Sequence, residues 1–207
     1  LASASALLLV LTISLGPYAW VSGGRAIRLP LLLLVPVTLA AAYCRAPESV
    51  ALGLLARLAQ SLWYDHNPLS ALVGGYYGLF VHVFLTQPYR GKLGGLLRWP
   101  LLAAPLAGLL TWPVVVAAQY AGASGSFLAA FAQAIDSSAL VLLALVVQAA
   151  VAGVCTQLAY VALRLRPVPA PSRLPPYARS LRAKVLAAYL PIAAAGLLAL
   201  SGVLVWA

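Results

Sequence analysis

Residues 138–163, SALVLLALVVQAAVAGVCTQLAYVAL, form an apolar stretch without a single Asp, Glu, Lys or Arg. A helix crosses the roughly 30 Å hydrocarbon core of a bilayer with about 20 apolar residues, so this stretch is long enough to cross and to tilt or project. Similar stretches occur at 3–22, 29–44, 68–88, 99–118 and 184–206. The sequence therefore predicts an all-α, polytopic bundle of six transmembrane helices.

The composition of the whole chain also predicts a membrane protein. Of its 207 residues, 64% are hydrophobic and only 8% are charged, whereas a soluble domain carries about 25% charged residues. Because so few polar side chains cannot cover a water-facing surface, lipid is the expected solvent for most of the chain.

The basic residues predict the orientation of the helices. Eleven of the thirteen Lys and Arg residues fall in the connections 23–28, 89–98 and 164–184, which share one side of a six-helix bundle. The positive-inside rule places that side in the cytoplasm and the C-terminus outside, in a multi-pass protein of the cell membrane. It also explains the net charge of +10 without nucleic acid as a partner.

A seven-helix bundle is the alternative. The segment 49–64, SVALGLLARLAQSLWY, has a helical pattern but is short and contains Arg57. If it also spans, Arg45 joins the cytoplasmic group while Arg25 and Arg28 leave it. The charge asymmetry does not choose between the two arrangements, which agree after residue 68.

The chain divides at segment 164–182, RLRPVPAPSRLPPYARSLR. Alternating Pro and Arg favour an extended cytoplasmic linker against anionic lipid headgroups. The expected organisation is a five-helix membrane module at 1–163, this linker, and a final helix at 183–207. Because the chain contains no Met, even at position 1, we expect a processed form or a fragment, cut short at the outer end of that helix.

The sequence favours no catalytic activity, cofactor or metal. Residues 122–125, Gly-Ala-Ser-Gly, are similar to the serine motif of rhomboid proteases, but those enzymes need a histidine on a later helix. Both histidines, His66 and His82, come earlier. The chain also lacks a P-loop, an HExxH motif, a CxxC motif and a dinucleotide fingerprint.

The few polar residues near the predicted outer face form the candidate ligand site. An arginine on a short apolar helix is expected to snorkel to the surface or to pair with an acid, either Asp65 or Asp136. Asp65 to Pro68 are expected to cap the helix that begins at 68, and Asp136 to cap the fifth span. His82 is expected to form a hydrogen bond to a neighbouring helix. The candidate site residues are Arg57, Gln60, Asp65, His66, Gln133 and Asp136.

Proline and glycine interrupt several spans, at Pro36, Pro105, Pro113 and Pro191 and at Gly74-Gly75. These residues favour kinks and close helix packing, or broken helices that line a ligand cavity.

Residues 177–206, YARSLRAKVLAAYLPIAAAGLLALSGVLVW, resemble the first membrane helix of bacterial sensor histidine kinases and chemoreceptors. The five preceding helices resemble the multi-helix sensor modules of such receptors. Residues 31–84 also resemble small bacterial cell-shape scaffold proteins and the substrate-binding membrane subunits of vitamin transporters.

The expected function is a membrane-embedded sensory module that relays a ligand or a membrane state to further domains. A small-solute transporter, or its substrate-binding subunit, and a scaffold subunit of a larger complex are the alternatives. The expected partners are the bilayer, a small-molecule ligand, and other membrane helices or further copies of the chain.

Overall fold

The computed structural model describes residues 18–22, 25–62, 67–87, 96–123 and 125–162, with side chains from residue 30 onward. The described fold is helical, as predicted, except for one short hairpin that precedes the helices. The elements are β1 Tyr18–Ser22, β2 Arg25–Leu29, α1 Val35–Tyr43, α2 Ala46–Gln60, α3 Ser70–Thr86, α4 Pro100–Leu110, α5 Trp112–Ala121 and α6 Phe127–Ala162. Segment 164–182 and the predicted span 184–206 lie outside the described residues.

The hairpin is a departure from the predicted helices. Strands β1 and β2 pair antiparallel, with Tyr18 opposite Leu29 and Ser22 opposite Arg25. The predictions of helix at the end of span 3–22 and at the start of span 29–44 are therefore wrong. Apolarity alone does not distinguish the two structures, whereas the aromatic and β-branched residues before the Gly-Gly pair favour a strand.

Two described helical segments are long and apolar enough to cross a membrane, Pro100–Ala121 and Phe127–Ala162, and α3 is a shorter apolar helix. They support a membrane location in coarse terms. The described helices do not support the full predicted count of six or seven spans.

Helix α6 begins well before the predicted start of its span at residue 138. Its first turns, FLAAFAQAI, are apolar and favour helix, and the helix follows Gly125, whose φ is 122°. Asp136 therefore lies inside the helix, and the prediction that it caps the fifth span is wrong.

The first three helices form an antiparallel bundle. Helices α1 and α3 are parallel, because the Thr38 hydroxyl is 2.8 Å from the Tyr77 hydroxyl and His82 Nδ1 is 2.9 Å from the Ala41 carbonyl oxygen. Helix α2 runs antiparallel to α1 and α3, and its Ser49 hydroxyl donates to the Gly78 carbonyl oxygen at 3.2 Å. The prediction that His82 bonds to a neighbouring helix is confirmed.

The later helices close the bundle and define its two ends. Trp112 Nε1 donates to the Ser138 hydroxyl at 3.3 Å, and Gly153 lies against the Pro100 backbone, so α4 and α5 run antiparallel to α6. At the far end of α6, the ring of Tyr160 packs edge-on against Tyr43, with centroids 5.5 Å apart. We call this the tyrosine end, and the opposite end, where α2 finishes and α3 begins, the cavity end.

A glycine-to-glycine contact sets the spacing of α2 and α3. A Cβ at Gly53 would collide with the Gly74 carbonyl oxygen, and a Cβ at Gly74 would collide with the Gly53 carbonyl oxygen. One turn along α3, a Cβ at Gly78 would collide with the Ser49 carbonyl oxygen. Ser49 and Gly53, and Gly74 and Gly78, are pairs of small residues four apart, the spacing that lets two helix backbones touch.

Burial in α2 is inverted relative to a helix of a water-soluble protein. Arg57 is 6% exposed, whereas Leu55 is 54% exposed and Leu62, just past the end of the helix, is 66% exposed. Helix α6 shows the same inversion, with Gln148 1% exposed and Leu158 62% exposed. Arg57 and Gln148 therefore face the bundle interior, while several large apolar side chains face outward.

Gly53→Ala is expected to lower the free energy of unfolding by about 1–3 kcal/mol, because the added methyl group meets a backbone that cannot move aside. Thermal unfolding of the detergent-purified protein measures the change, at roughly 2–4 °C per kcal/mol for a chain of this size. Gly122→Ala is the matched control, since its Cβ would meet other atoms only at 3.7 Å. Equal melting temperatures for the two variants would contradict the contact.

Candidate functional site

The cavity end contains a cavity of about 390 Å3 between α2, α3, α5 and α6. One charged side chain, seven neutral polar side chains and seven small apolar residues line it. The lining residues are Arg57, Gln60, Asn67, Ser70, Val73, Val115, Ala118, Gln119, Gly122, Ala123, Gln133, Ser137, Val141, Ala144 and Gln148. Gly122 and Gln133 are exposed and mark its mouth.

Arg57 forms the inner wall of the cavity and bridges two helices. Its Nη1 donates to Gln60 Oε1 at 2.6 Å, and its Nη2 donates to Gln148 Oε1 at 3.0 Å. Gln60 lies one turn further along α2, while Gln148 reaches in from α6. The two amides fix the plane and direction of the guanidinium group, so its charge lies at a defined position in the wall.

The glycine contact makes this position possible. A Cβ on Gly74 would lie 2.6 Å from Cγ of Arg57, so the arginine stem crosses α3 where no side chain stands. Because Arg57 is only 6% exposed, the first of its two predicted alternatives, snorkelling to the surface, is wrong. The second alternative includes pairing with Asp65, which lies outside the described residues, and it stays a prediction. Moving a guanidinium out of water costs several kcal/mol, and hydrogen bonds to neutral amides offset part of that cost.

Asn67 and Ser70 shape the side of the cavity where α3 begins. Asn67 Nδ2 donates to the Ala118 carbonyl oxygen at 2.8 Å and ties the start of α3 to α5. Its Oδ1 accepts from the Leu69 N–H at 3.1 Å, which fixes the turn. The hydroxyl oxygen of Ser70 is buried and has no hydrogen-bond partner among the described residues. An incoming polar group can satisfy it.

The structure brings together part of the predicted site. Arg57, Gln60 and Gln133 line the cavity. Asp136 is exposed on α6 and is not among the lining residues, although its neighbour Ser137 is. Asp65 and His66 lie outside the described residues.

Sequence reasoning missed most of the neutral polar lining. The main omission is Gln148, whose signal was available as the glutamine in the middle of the apolar stretch 138–163. Gln119 and Ser137 carried a similar signal, because polar groups in membrane helices face the interior or a cavity. Asn67 was interpreted only as a turn and cap residue, and Ser70 was not singled out.

The described lining is rich in neutral hydrogen-bonding groups. No carboxylate, thiol or imidazole belongs to the described lining, and the described residues contain no group of three His, Cys, Asp or Glu that could hold a metal ion. What the lining offers is one guanidinium, five side-chain amides and two hydroxyls around a small volume.

Comparisons with protein-family models, with curated proteins and with solved structures found no match to this chain.

Gln148→Leu is expected to lower the free energy of unfolding by about 1–3 kcal/mol, because it removes the acceptor for Nη2 of a buried guanidinium at nearly constant volume. Thermal unfolding of the purified protein measures the loss. Gln133→Leu, on the exposed rim of the same helix face, is the control and is expected to stay within about 0.5 kcal/mol of the wild type. An unchanged melting temperature for Gln148→Leu would show that the bond to Arg57 contributes no stability.

Proposed function

We propose that this chain is a membrane-embedded sensory module that binds a small polar ligand in the cavity and relays its presence along α6. The observation that carries the proposal is the cavity itself, a polar chamber with a buried arginine enclosed by otherwise apolar helices. Polar and charged groups in such helices are costly, and they commonly mark ligand or ion sites.

The proposed membrane location rests on the inverted burial. Large apolar side chains project outward from α6 over most of its length, including Leu128, Leu143, Leu158 and Val161. Water would oppose such a surface, whereas lipid favours it. Interior Gln148 and Arg57 complete the pattern of a membrane bundle.

We propose a cytoplasmic tyrosine end and an extracytoplasmic cavity end. The contact between Tyr43 and Tyr160 opposes the predicted six-helix arrangement, which would put residues 44 and 163 on opposite faces of the membrane. It favours the arrangement in which 49–64 crosses back, so that Arg45 and Arg98 both lie on the basic, cytoplasmic side. Helix α1 has nine residues, or about 14 Å, and belongs to the bundle without spanning by itself.

Cysteine labelling of intact cells tests this orientation. In a Cys44→Ala, Cys155→Ala background, Ala121→Cys is expected to react with a membrane-impermeant maleimide added outside. Pro47→Cys and Leu96→Cys are expected to react only after permeabilisation. None of these substitutions alters a charge, so the orientation signal is preserved. Outside labelling of Pro47→Cys would restore the six-helix arrangement.

Helix α6 is the proposed relay, because one of its faces lines the cavity while its far end reaches the segment 164–182. Gln133, Ser137, Val141, Ala144 and Gln148 follow one another at intervals of three or four residues and share that face. Ligand contacts over roughly 22 Å of one rigid helix can shift its packing as a unit. The helix ends at Ala162, directly before the basic segment.

A solute transporter is the second candidate, favoured by the interruption between α4 and α5. Thr111 separates the two helices, and Pro113 follows in the first turn of α5. The same helix supplies Val115 and Ala118 to the cavity wall, and broken helices commonly line transport sites. The scaffold alternative is less favoured, because it needs no cavity.

Filling the cavity covalently tests the sensory proposal. Ser137→Cys, in the background without other cysteines, is to be modified with benzyl methanethiosulfonate, and the rate of trypsin cleavage within 164–182 is the readout. We expect a change of at least about 5-fold, the lower range of allosteric coupling.

The matched control is Ala132→Cys, which is exposed on α6 and does not line the cavity. A cleavage rate that is equal in modified and unmodified Ser137→Cys would refute the relay. In that case, the transporter would be supported if proteoliposomes containing Ser137→Cys take up solute and modification of the cysteine blocks this uptake.

A further inference from the structure

The tyrosine end is a second polar region of the bundle. Four buried side-chain oxygen atoms there have no hydrogen-bond partner among the described residues, namely Tyr43 Oη, Thr156 Oγ1, Gln157 Oε1 and Tyr160 Oη. Thr156 is fully buried, and the two tyrosine rings are in contact at a centroid distance of 5.5 Å. Leaving a buried polar group unpaired costs free energy, and native proteins contain few such groups. Four of them at one end of the bundle therefore need a physical explanation.

One row of side chains on α6 connects this end to the cavity. Its members, Gln148, Ala152, Thr156 and Tyr160, follow one another at intervals of four residues, the spacing of a continuous ridge on a helix surface. Gln148 lines the cavity, while Ala152 and Thr156 have no exposed surface. The row covers roughly 18 Å of the helix axis. It therefore leads from the inner wall of the cavity to the tyrosine pair.

We propose that the tyrosine end is a closed gate on a polar path that runs from the cavity along this row. The rings of Tyr43 and Tyr160 close the path in this structure. When the rings separate, water reaches the unpaired oxygen atoms, and small water-soluble molecules pass between the cavity and the cytoplasmic side. This inference rests on the proposed membrane location and goes beyond the sensory function, because it adds the passage of a solute.

The chemistry of the row is that of a path which is wet in one state and dry in the other. Polar side chains within membrane helices commonly line the pathways of solutes and ions. Because the four oxygen atoms are unpaired in the closed state and hydrated in the open state, they bring the free energies of the two states closer together.

The two rings are placed where a small movement separates them. Tyr43 is the last residue of α1, and Tyr160 lies in the last turn of α6. A shift or rotation of either helix end opens the contact without unfolding a helix, as in other hinge and shear movements.

The reactivity of a cysteine at position 156 tests the gate. Thr156→Cys, in the background without other cysteines, is treated as the detergent-purified full chain with water-soluble sulfonatoethyl methanethiosulfonate. We expect slow modification, and modification at least about 10-fold faster when Tyr160→Ala removes one ring, the factor that 1.4 kcal/mol of lost ring contact gives. Tyr160→Phe keeps the ring and is expected to keep modification slow. Tyr43→Ala removes the other ring and serves as the second test should Tyr160→Ala fail to fold.

Ala149→Cys is the matched control for general loosening of the bundle. Ala149 is fully buried on α6, and its Cβ would lie 3.4 Å from a Cβ on Gly108, so it faces α4 rather than the row. Its modification is expected to stay slow with and without Tyr160→Ala. If the loss of the ring accelerates both cysteines equally, the substitution loosens the helices as a whole and the gate is rejected.

Solute passage tests whether the path is continuous. Proteoliposomes with Thr156→Cys and Tyr160→Ala are expected to swell in isosmotic erythritol at least about 10-fold faster than those with Thr156→Cys alone, for the same energetic reason. Modifying the cysteine places a bulky group in the row and is expected to return swelling to the slower rate.

Two further results would overturn the inference. Equal modification of Thr156→Cys with and without the ring would show that the tyrosine pair is no gate. Faster modification without faster swelling would leave a water-filled crevice that does not reach the cavity. The sensory relay is decided separately by the covalent filling of Ser137→Cys, and the membrane orientation by the labelling of Ala121→Cys.

Discussion

The contact between Gly53 and Gly74 is the constraint on which the rest of this bundle depends. Because neither residue has a side chain, the backbones of α2 and α3 touch, and no larger residue fits at either position. The same absence of a Cβ on Gly74 opens the path along which Arg57 crosses α3 toward the interior. The same contact therefore determines both the packing of α2 on α3 and the position of the Arg57 side chain. If the two helices were separated by the width of a methyl group, the guanidinium would move away from Gln148, its partner on α6.

Because Arg57 is buried, the cavity wall beside it has to supply hydrogen-bond acceptors, which makes that wall polar. A guanidinium inside an apolar bundle needs acceptors, and Gln60 and Gln148 supply them from two different helices. Those amides then belong to a wall that other polar groups extend toward the exposed mouth at Gln133. Burial of a charge is costly for stability. Because charged groups within apolar helices commonly mark ligand or ion sites, that cost supports the proposal that the cavity binds a ligand.

The sequence predicted the helical class and the importance of Arg57 because both depend on composition and local pattern. A charge within an apolar segment is conspicuous whatever the fold, and Gln60 and Gln133 were named as neutral polar residues on the same predicted face. Gln148 was missed because its role depends on which face of α6 meets α2, which is a tertiary property. The hairpin at Tyr18–Leu29 was missed because an apolar run has the same composition in a helix and in a strand. Asp136 was misplaced by a single helix boundary, since a cap exists only where the helix begins.

The proposed orientation of α2 rests on a tertiary contact that charge counting does not include. Eleven basic residues against two, and ten against two, are both strong asymmetries, so the positive-inside rule by itself is satisfied either way. The ring contact of Tyr43 with Tyr160 adds a geometric condition that charge does not contain, because two side chains in contact belong to one end of the bundle. Under that condition Arg45 joins Arg98, and the buried Arg57 separates from both. In the proposed arrangement, Arg45 and Arg98 orient the bundle in the membrane, whereas the buried Arg57 lines the cavity inside it.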